Sequence, residues 1–475
     1  MKHILFILTD QQRKDTVGFY GDPQMQTPNL DALAREGAVF DNCYTTSPVC
    51  VPARFSLFSG QYCNRHGNSN NNSDHVYPGD GVYSMLTDAG YRSCCVGKMH
   101  HTIDPYGPMG FEKRITQEEI AHPEDDYTKF IRENYPWVYD YHGMRSEMYY
   151  VPQISQLPPS AHPTQWIGDH AVEYIRNFDP SEPMMLMASF IHPHPPFAPP
   201  APWHKLYRED PVPPHIPEEE NLDTFRDMFG KGGTCERLQI SPQDLLRQKN
   251  FYHACVSFVD YQVGRIIDAL KEKGMYDDTM FVFTSVHGDM MGDFGCVGKR
   301  NMVDGAANVP LIVRCPGRAP ERSDKPCSIV DIAPTLFNYA GIDYDPSEFD
   351  GLDLLGTQQH DYVYSQYSCG PEGTYMVTDG QKKLVYDAKQ DKYFWFTQLP
   401  EIRNEDMEGD ADAMEMKKQL DAYRAAETNS IPGASSHVKR KKKLHPHYPG
   451  RVDQVWTLEQ EEACIPEAYH GDFGN

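Results

Sequence analysis

Cys50 lies in a window whose residue types and spacing indicate a modified nucleophile. The window reads Ser47-Pro48-Val49-Cys50-Val51-Pro52-Ala53-Arg54 and closes at Ser59-Gly60. A Cys-x-Pro-x-Arg sequence is the recognition signal for an enzyme that oxidises the thiol to an aldehyde, formylglycine. One hydroxyl of the hydrated aldehyde can attack sulfur or phosphorus, and the other can then expel the product. The alternative is that Cys50 is a buried structural cysteine.

Charged side chains elsewhere in the chain lie at the ends of predicted strands. Asp10 follows the first apolar run, at the edge where open α/β sheets place their ligands. Lys98 and His100 follow a second run, and residues two apart on an extended segment face the same way. His194 follows a third run and is flanked by prolines. Such groups supply the cation, acid and base that transfer of a sulfuryl or phosphoryl group requires.

These motifs, in this order, resemble the formylglycine-dependent sulfatases of the alkaline phosphatase superfamily, in the branch of the choline sulfatases and phosphonate monoester hydrolases. The resemblance covers most of residues 3–342. It implies that a formylglycine-generating enzyme modifies Cys50 during maturation. It also implies a catalytic set around that residue: Cys50, Arg54, Lys98, His100, His194 and Lys299.

The resemblance assigns each of these side chains a role. Lys98 would neutralise a sulfate oxygen, and Lys299 would add positive charge at the bridging oxygen. His100 would help to deprotonate the diol, and His194 would contact the sulfate and protonate the leaving group. Asn71 stands where related enzymes have a substrate-contacting asparagine, although a polar turn explains its asparagine-rich stretch equally well.

One divalent cation, calcium foremost and manganese second, is also implied by the resemblance. Asp10, Gln11 and His287 match expected ligands. The second strand end reads Thr284-Ser285-Val286-His287-Gly288-Asp289, where the family has aspartate in place of Val286. Valine offers no donor, and the loss of one of few anionic ligands weakens a hard-cation site. A metal-poor variant, an inactivating substitution and a non-catalytic relative are all compatible with this residue.

The hydrophobic pattern predicts an α/β fold with a large, mostly parallel sheet between helices, as in alkaline phosphatase, and a smaller C-terminal α+β subdomain. Buried strands are expected at 4–8, 92–96, 184–190, 280–284, 310–313 and 362–366. Helices are expected at 28–37 and 242–274. We therefore place a catalytic domain at 1–360 and a C-terminal subdomain at 361–475.

Three stretches carry weaker signals. Residues 116–163 and 199–233 are irregular insertions that either shape a substrate cleft or form surface excursions. The basic run at 439–443 is either a rim for an anionic glycan or a solvated loop.

Composition excludes two broad functional classes. The net charge of -24 argues against a nucleic-acid binder, which needs a basic face. No apolar run approaches the roughly 20 residues of a membrane span. The run at 4–8 is too short for a signal peptide, so we expect a cytoplasmic protein, or a periplasmic or secreted one whose leader has been removed. Twelve irregularly spaced cysteines favour reduced thiols.

The sequence predicts a sulfuric ester hydrolase whose substrate is a sulfated small molecule or glycan. A phosphonate monoester or phosphodiester hydrolase is an alternative, because phosphodiesters carry one negative charge as sulfate monoesters do. The second alternative is a non-catalytic protein that binds a sulfated ligand. The complete Cys50 window and its companions favour an enzyme, whereas Val286 favours the binder.

Overall fold

The computed structural model of the chain describes residues 2–22, 24–71, 81–100, 105–138, 150–207, 242–401 and 403–428. The basic run at 439–443 and most of the insertion at 199–233 lie outside these residues. The description therefore covers most of the predicted catalytic domain and the first part of the C-terminal subdomain.

Eight strands form the main sheet: β1 His3–Asp10, β2 Ala38–Tyr44, β3 Arg92–Gly97, β4 Lys113–Thr116, β5 Met184–Pro193, β6 Thr279–Ser285, β7 Leu311–Arg314 and β8 Glu321–Ser328. Their order across the sheet is β4-β3-β5-β1-β6-β7-β2-β8. β1 pairs in parallel with both β5 and β6. The α/β class with a large, mostly parallel sheet is confirmed.

One predicted strand runs against its neighbours. β7 pairs antiparallel with β6 and with β2. A parallel return would need a crossover connection that carries the chain back past the sheet, usually on a helix. Between β6 and β7 the chain forms only one short α-helix, at Asp304–Ala307, and re-enters the sheet from the end at which it left.

Ten α-helices lie within the described residues: α1 Pro28–Glu36, α2 Cys50–Ser59, α3 Cys63–His66, α4 Val82–Asp88, α5 Asp126–Asn134, α6 Pro163–Asn177, α7 Pro242–Glu272, α8 Asp304–Ala307, α9 Ile332–Ala340 and α10 Ala411–Ala425. The helices predicted at 28–37 and 242–274 correspond to α1 and α7. Gly274, with a φ of 68°, turns the chain after α7 in a conformation that glycine adopts without strain.

Helices cover both faces of the sheet because alternate residues of its buried strands point in opposite directions. Leu5 and Ile7 of β1 lie in an apolar cluster with residues of α1, α5, α6 and α7. Ile4, Phe6 and Leu8 lie in a second cluster with residues of α2, α4 and α9. A continuous apolar run such as β1 is therefore buried on both sides.

A second, antiparallel sheet of four strands follows: β9 Val363–Tyr367, β10 Thr374–Thr378, β11 Lys383–Asp387 and β12 Lys392–Phe396. Its strand order is β12-β11-β10-β9, and α10 packs against it. β9 is the strand predicted at 362–366. The division into residues 1–360 and 361–475 stays a proposal.

Two further expectations concern thiols and membranes. Nine cysteines in the described part of the chain are free, as expected, but Cys296 is disulfide-bonded, so the expectation of reduced thiols is wrong there. None of the described helices has both the length and the apolar composition needed to cross a membrane.

Candidate active site

The carboxyl ends of β1, β3, β5 and β6 meet the N-terminus of α2 at one point. Their registers align these ends, with Gly97 of β3 opposite Ser189 of β5 and Asp10 of β1 opposite Pro193. Cys50 is the first residue of α2 and is buried, as is the rest of that helix. Because the N-terminus of a helix carries partial positive charge, negative charge that develops on residue 50 is stabilised there.

Three side chains surround the Cys50 sulfur. Lys299 Nζ lies 3.0 Å from Sγ, His287 Nε2 lies 3.2 Å away and Asp10 Oδ1 lies 3.4 Å away. Burial and Asp10 would raise the pKa of the thiol, but Lys299, Lys98 and His287 outweigh them and hold it well below its usual range. The site therefore favours an anion at this position.

Asp10 is fully buried and binds several cationic groups. Its Oδ2 lies 2.8 Å from Lys98 Nζ and 3.1 Å from the Arg54 guanidinium, and its Oδ1 lies 3.3 Å from His287 Nε2. Burial alone would raise the pKa of this carboxyl, but Lys98, His287 and Arg54 hold it well below its usual range. Arg54 also donates to Lys98 O at 2.7 Å and to Ser189 Oγ at 3.1 Å, which fixes its orientation.

A second carboxylate, which sequence reasoning missed, lies on the outer side of Lys98. Glu119 Oε2 is 2.8 Å from Lys98 Nζ and 3.9 Å from His100 Nδ1. Its Oε1 is 3.9 Å from His194 Nε2. Glu119 follows β4, which neighbours β3 in the sheet, so it obeys the same strand-end rule as Asp10 and Lys98. The signal was weak because β4 is a short edge strand without an apolar run.

The two predicted histidines of the outer site differ in how tightly they are held. His194 Nδ1 donates to Pro195 O at 2.8 Å, and Nε2 faces Glu119. Burial, with Lys299 next in size, lowers the pKa of His194. His100 is 26% exposed and has a φ of 54°. His192, the other histidine of the proline-flanked segment, instead shares a hydrogen bond of 3.0 Å with Thr164 Oγ1.

The side chains of Asn71 and Gln11 form hydrogen bonds with groups close to the site. Asn71 Oδ1 accepts a hydrogen bond of 3.0 Å from Val51 N, so it secures the first turn of α2 beside Cys50. Gln11 Nε2 donates to the carboxylate of Asp289. Gln11 Oε1 is buried and has no hydrogen-bond partner among the described residues.

Val286 occupies its strand end as an ordinary core residue. It is fully buried in the apolar cluster that contains Ala53 of α2 and Val309. Its N–H donates to Thr9 O at 3.0 Å, and its carbonyl accepts from Thr45 Oγ1 at 2.6 Å. The backbone of the turn is thus held firmly, while the side chain offers no ligand atom.

A group that could hold a metal ion is nevertheless present. Ligand atoms of Asp10, Cys50 and His287 all lie within 4.8 Å of one another. This set has one carboxylate, one thiol and one imidazole. The buried Oε1 atom of Gln11, the residue after Asp10, is a further oxygen atom near it in the sequence. Calcium takes 6–8 oxygen ligands and relies on carboxylates. Among the described residues this set has only one carboxylate, so it does not fit calcium.

Comparison with known proteins gives a consistent result. Residues 2–342 match the profile of the family described as Sulfatase. An arylsulfatase of Clostridium perfringens is 29% identical over 480 residues, which are 94% of this chain and 98% of that protein. A choline-sulfatase of Rhizobium meliloti is 30% identical over 415 residues, which are 81% and 78% of the two chains.

Solved structures agree with the fold. The phosphonate monoester hydrolase of Agrobacterium radiobacter superposes with a TM-score of 0.74 at 24% identity, over 90% of this chain and 96% of its own. This likeness confirms the fold, and the choline-sulfatase, at 30% identity, supports membership of the sulfatase family. Because the family profile matches well over half of its length, the chain is an enzyme of the sulfatase family, in the alkaline phosphatase superfamily.

Proposed function

We propose that the protein hydrolyses sulfate monoesters of a small molecule or carbohydrate through a formylglycine derived from Cys50. The observation that carries the proposal is the position of Cys50. It starts a buried helix, and an ammonium, an imidazole and a carboxylate lie within 3.4 Å of its sulfur. In the modified residue, the hydrate oxygens take the place of that sulfur and inherit these contacts.

In the first step, one hydroxyl of the hydrate attacks sulfur and gives its proton to Asp10. The S–O bond to the alcohol breaks, and the departing oxygen takes a proton from His194 Nε2. Burial lowers the pKa of this imidazole, and the negative charge of the bound ester favours its protonated form. Lys98, Arg54 and the N-terminus of α2 stabilise the charge on the sulfate oxygens. The products are the free alcohol and a sulfated hydrate.

In the second step, the remaining hydroxyl loses its proton and the C–O bond to sulfate breaks. The aldehyde reforms, sulfate departs, and water adds back to give the hydrate. His100 is the base that the family resemblance implies, but His287 is better placed, since its Nε2 lies 3.2 Å from Cys50 Sγ. Its Nδ1 donates to Gly288 O at 2.9 Å, so Nε2 of the neutral ring accepts the proton. Burial and Lys299 would lower the pKa of this imidazole, but Cys50 and Asp10 raise it above its usual value, which makes it a stronger base.

No step of this proposal is routed through a metal ion, because the donor set does not fit calcium. Lys299 supplies a fixed positive charge 3.0 Å from Cys50 Sγ instead. An aspartate at position 286 would restore the missing ligand. It would also bury a carboxylate in an apolar cluster, which destabilises the fold until a cation neutralises it.

The test compares three proteins that are made together with a formylglycine-generating enzyme: the native chain, Val286→Asp and the matched control Val286→Asn. Hydrolysis of sulfate monoesters and phosphodiesters is measured with calcium, with manganese and with a chelator, alongside melting temperature. We expect the native chain to prefer sulfate esters and to ignore calcium. We expect both variants to melt lower in chelator, because each buries a polar group, and we expect Val286→Asp to gain more stability and activity with calcium than Val286→Asn, whose neutral amide is the weaker ligand.

Several results would contradict the proposal. If mass spectrometry shows the modified Cys50 and none of the three proteins cleaves any ester, catalysis is excluded and a binding role takes its place. A preference for phosphodiesters would assign the chain to the alternative hydrolase class. A calcium-dependent native chain would show that Val286 is not at a ligand position.

A further inference from the structure

Glu119 has no task in the mechanism above, yet it faces three of its groups. Its carboxylate lies 2.8 Å from Lys98 Nζ and 3.9 Å from each of His100 Nδ1 and His194 Nε2. A negatively charged group at this place repels a sulfate ester unless the substrate also makes a favourable interaction with it.

The segment that carries Glu119 is held firmly. The carboxylate of Glu118 accepts hydrogen bonds from Met99 N at 2.7 Å and from His100 N at 3.1 Å. Glu118 N donates in turn to Asp125 Oδ1 at 2.9 Å, at the start of α5. These bonds fix the loop after β4 against the loop after β3, so the direction of the Glu119 side chain is set by the scaffold.

The exposure of the charged groups gives the site a direction. Asp10 and Lys98 are fully buried, whereas the Glu119 side chain is 14% exposed. The Lys98 ammonium thus bridges a carboxylate on the floor of the site and another at its mouth. A sulfate that contacts Lys98 and His194 therefore lies beside Glu119, which is the more exposed of the two carboxylates.

We propose that Glu119 accepts a hydrogen bond from an O–H or N–H group on the carbon next to the ester-bearing carbon of the substrate. The inference rests on the proposed function and narrows its substrate class to sulfated vicinal diols and amino alcohols, the pattern of sugars and amino sugars. A carboxylate accepts up to about four hydrogen bonds, so a substrate donor can be added to those from the protein. A site built to bind such a donor rejects the analogue that lacks it.

The test uses Cys50→Ala, in which binding is measured without turnover, with and without Glu119→Ala. Calorimetry gives Kd for 2-hydroxyethyl, 2-aminoethyl and propyl sulfate, which have a hydroxyl, an ammonium or a methyl group at the same position. We expect both donor ligands to bind at least about tenfold more tightly than propyl sulfate, from the usual strength of a hydrogen bond to a charged group. Glu119→Ala should abolish this preference.

Two variants serve as controls. Glu124→Ala removes an exposed carboxylate from the same loop and should leave the preference unchanged. Glu119→Gln keeps the shape of the side chain and one acceptor oxygen, so it should retain part of the preference. Because the readout is a ratio of two ligands on one protein, a general change in affinity for sulfate through Lys98 cancels.

The outcomes separate this inference from the proposed function. A preference that survives in Glu119→Ala, or no preference in its parent, overturns the role of Glu119 while ester binding itself stands. Choline sulfate carries a positive charge without a donor. If its Kd depends on Glu119 as strongly as that of 2-aminoethyl sulfate, plain charge attraction replaces the hydrogen bond. If no ester binds Cys50→Ala at all, both proposals fail.

Discussion

Within the described part of the chain, two lysines have fully buried ammonium groups, each between two carboxylates. Lys98 lies 2.8 Å from Asp10 and 2.8 Å from Glu119 in the active site. Lys383 of β11 contacts Glu401 and lies 2.5 Å from Asp304 Oδ1, where the second sheet meets the start of α8. The two arrangements look alike but differ in the balance of charge around them.

The active site has an excess of cations. The contacts described above include three cationic side chains, Lys98, Arg54 and Lys299, but only two carboxylates. Histidines that can be protonated lie beside them. The surrounding fold holds these groups in place although their positive charge is not fully neutralised, and an anionic substrate neutralises it. Charge imbalance is what makes the site bind.

The junction has the opposite imbalance, which the protein resolves internally. One ammonium faces two carboxylates, and Lys383 Nζ also donates to Met302 O at 2.9 Å and lies 5.1 Å from the centre of the Tyr44 ring. Burial raises the pKa of Glu401 to about 7. Burial would also raise the pKa of Asp304, but Lys383 outweighs it and holds the pKa of that carboxyl below its usual value. A shared proton can therefore neutralise the cluster, which fits a structural role.

The largest expected effect is on stability at the junction. Lys383→Met leaves two buried carboxylates without their cation, so we expect a loss of about 3–5 kcal/mol in the free energy of unfolding. Urea denaturation measures it. Lys382→Met, which removes a partly exposed ion pair with Asp412, is the matched control and should cost less than about 1 kcal/mol. Equal losses in the two variants would show that the junction is not a structural ion cluster.

The counterpart in the active site should affect catalysis instead. Lys98→Met removes a cation that stabilises charge in the transition state, so we expect kcat/KM for a sulfate ester to fall by about 100- to 1000-fold. Stability should fall by less than in Lys383→Met, because Asp10 keeps Arg54 and His287 as partners and Glu119 is partly exposed. Lys113→Met, at an exposed position on β4, controls for removing a surface charge. An unfolding loss as large as that of Lys383→Met would erase the distinction between the two clusters.

The two clusters also differ in how far the sequence predicts them. A continuous apolar run marks its own carboxyl end, so the sequence alone assigns Asp10, Lys98 and His194 to one edge of the sheet. Glu119 was missed because the edge strand that precedes it is short and largely polar. The sequence shows which residues follow a buried strand, but it does not show which residues follow an exposed one.

The Lys383 cluster could not be predicted at all. Its partners come from α8 and from the segment after β12, and only the register of the second sheet brings them together. No local pattern encodes a contact between separate parts of the chain. Val286 illustrates a different limit. Its identity already predicted the loss of a ligand, and the structure adds that the side chain belongs to an apolar cluster.

The smallest expected effect is on the pH dependence of stability at the junction. The folded-state pKa of Glu401 is raised from 4.5 to about 7, chiefly by burial. Its contribution to stability is therefore fully present below about pH 4.5 and is lost as pH rises through about 7. The lowered pKa of Asp304 acts in the opposite sense, in more acidic solution, where stability is lost as that carboxyl becomes protonated.

Glu401→Gln, a neutral side chain of the same shape, should flatten the decline in the free energy of unfolding above pH 4.5, as measured by denaturation across that range. An unchanged slope would assign the decline to other groups and would leave the two lysine clusters without a difference in proton sharing.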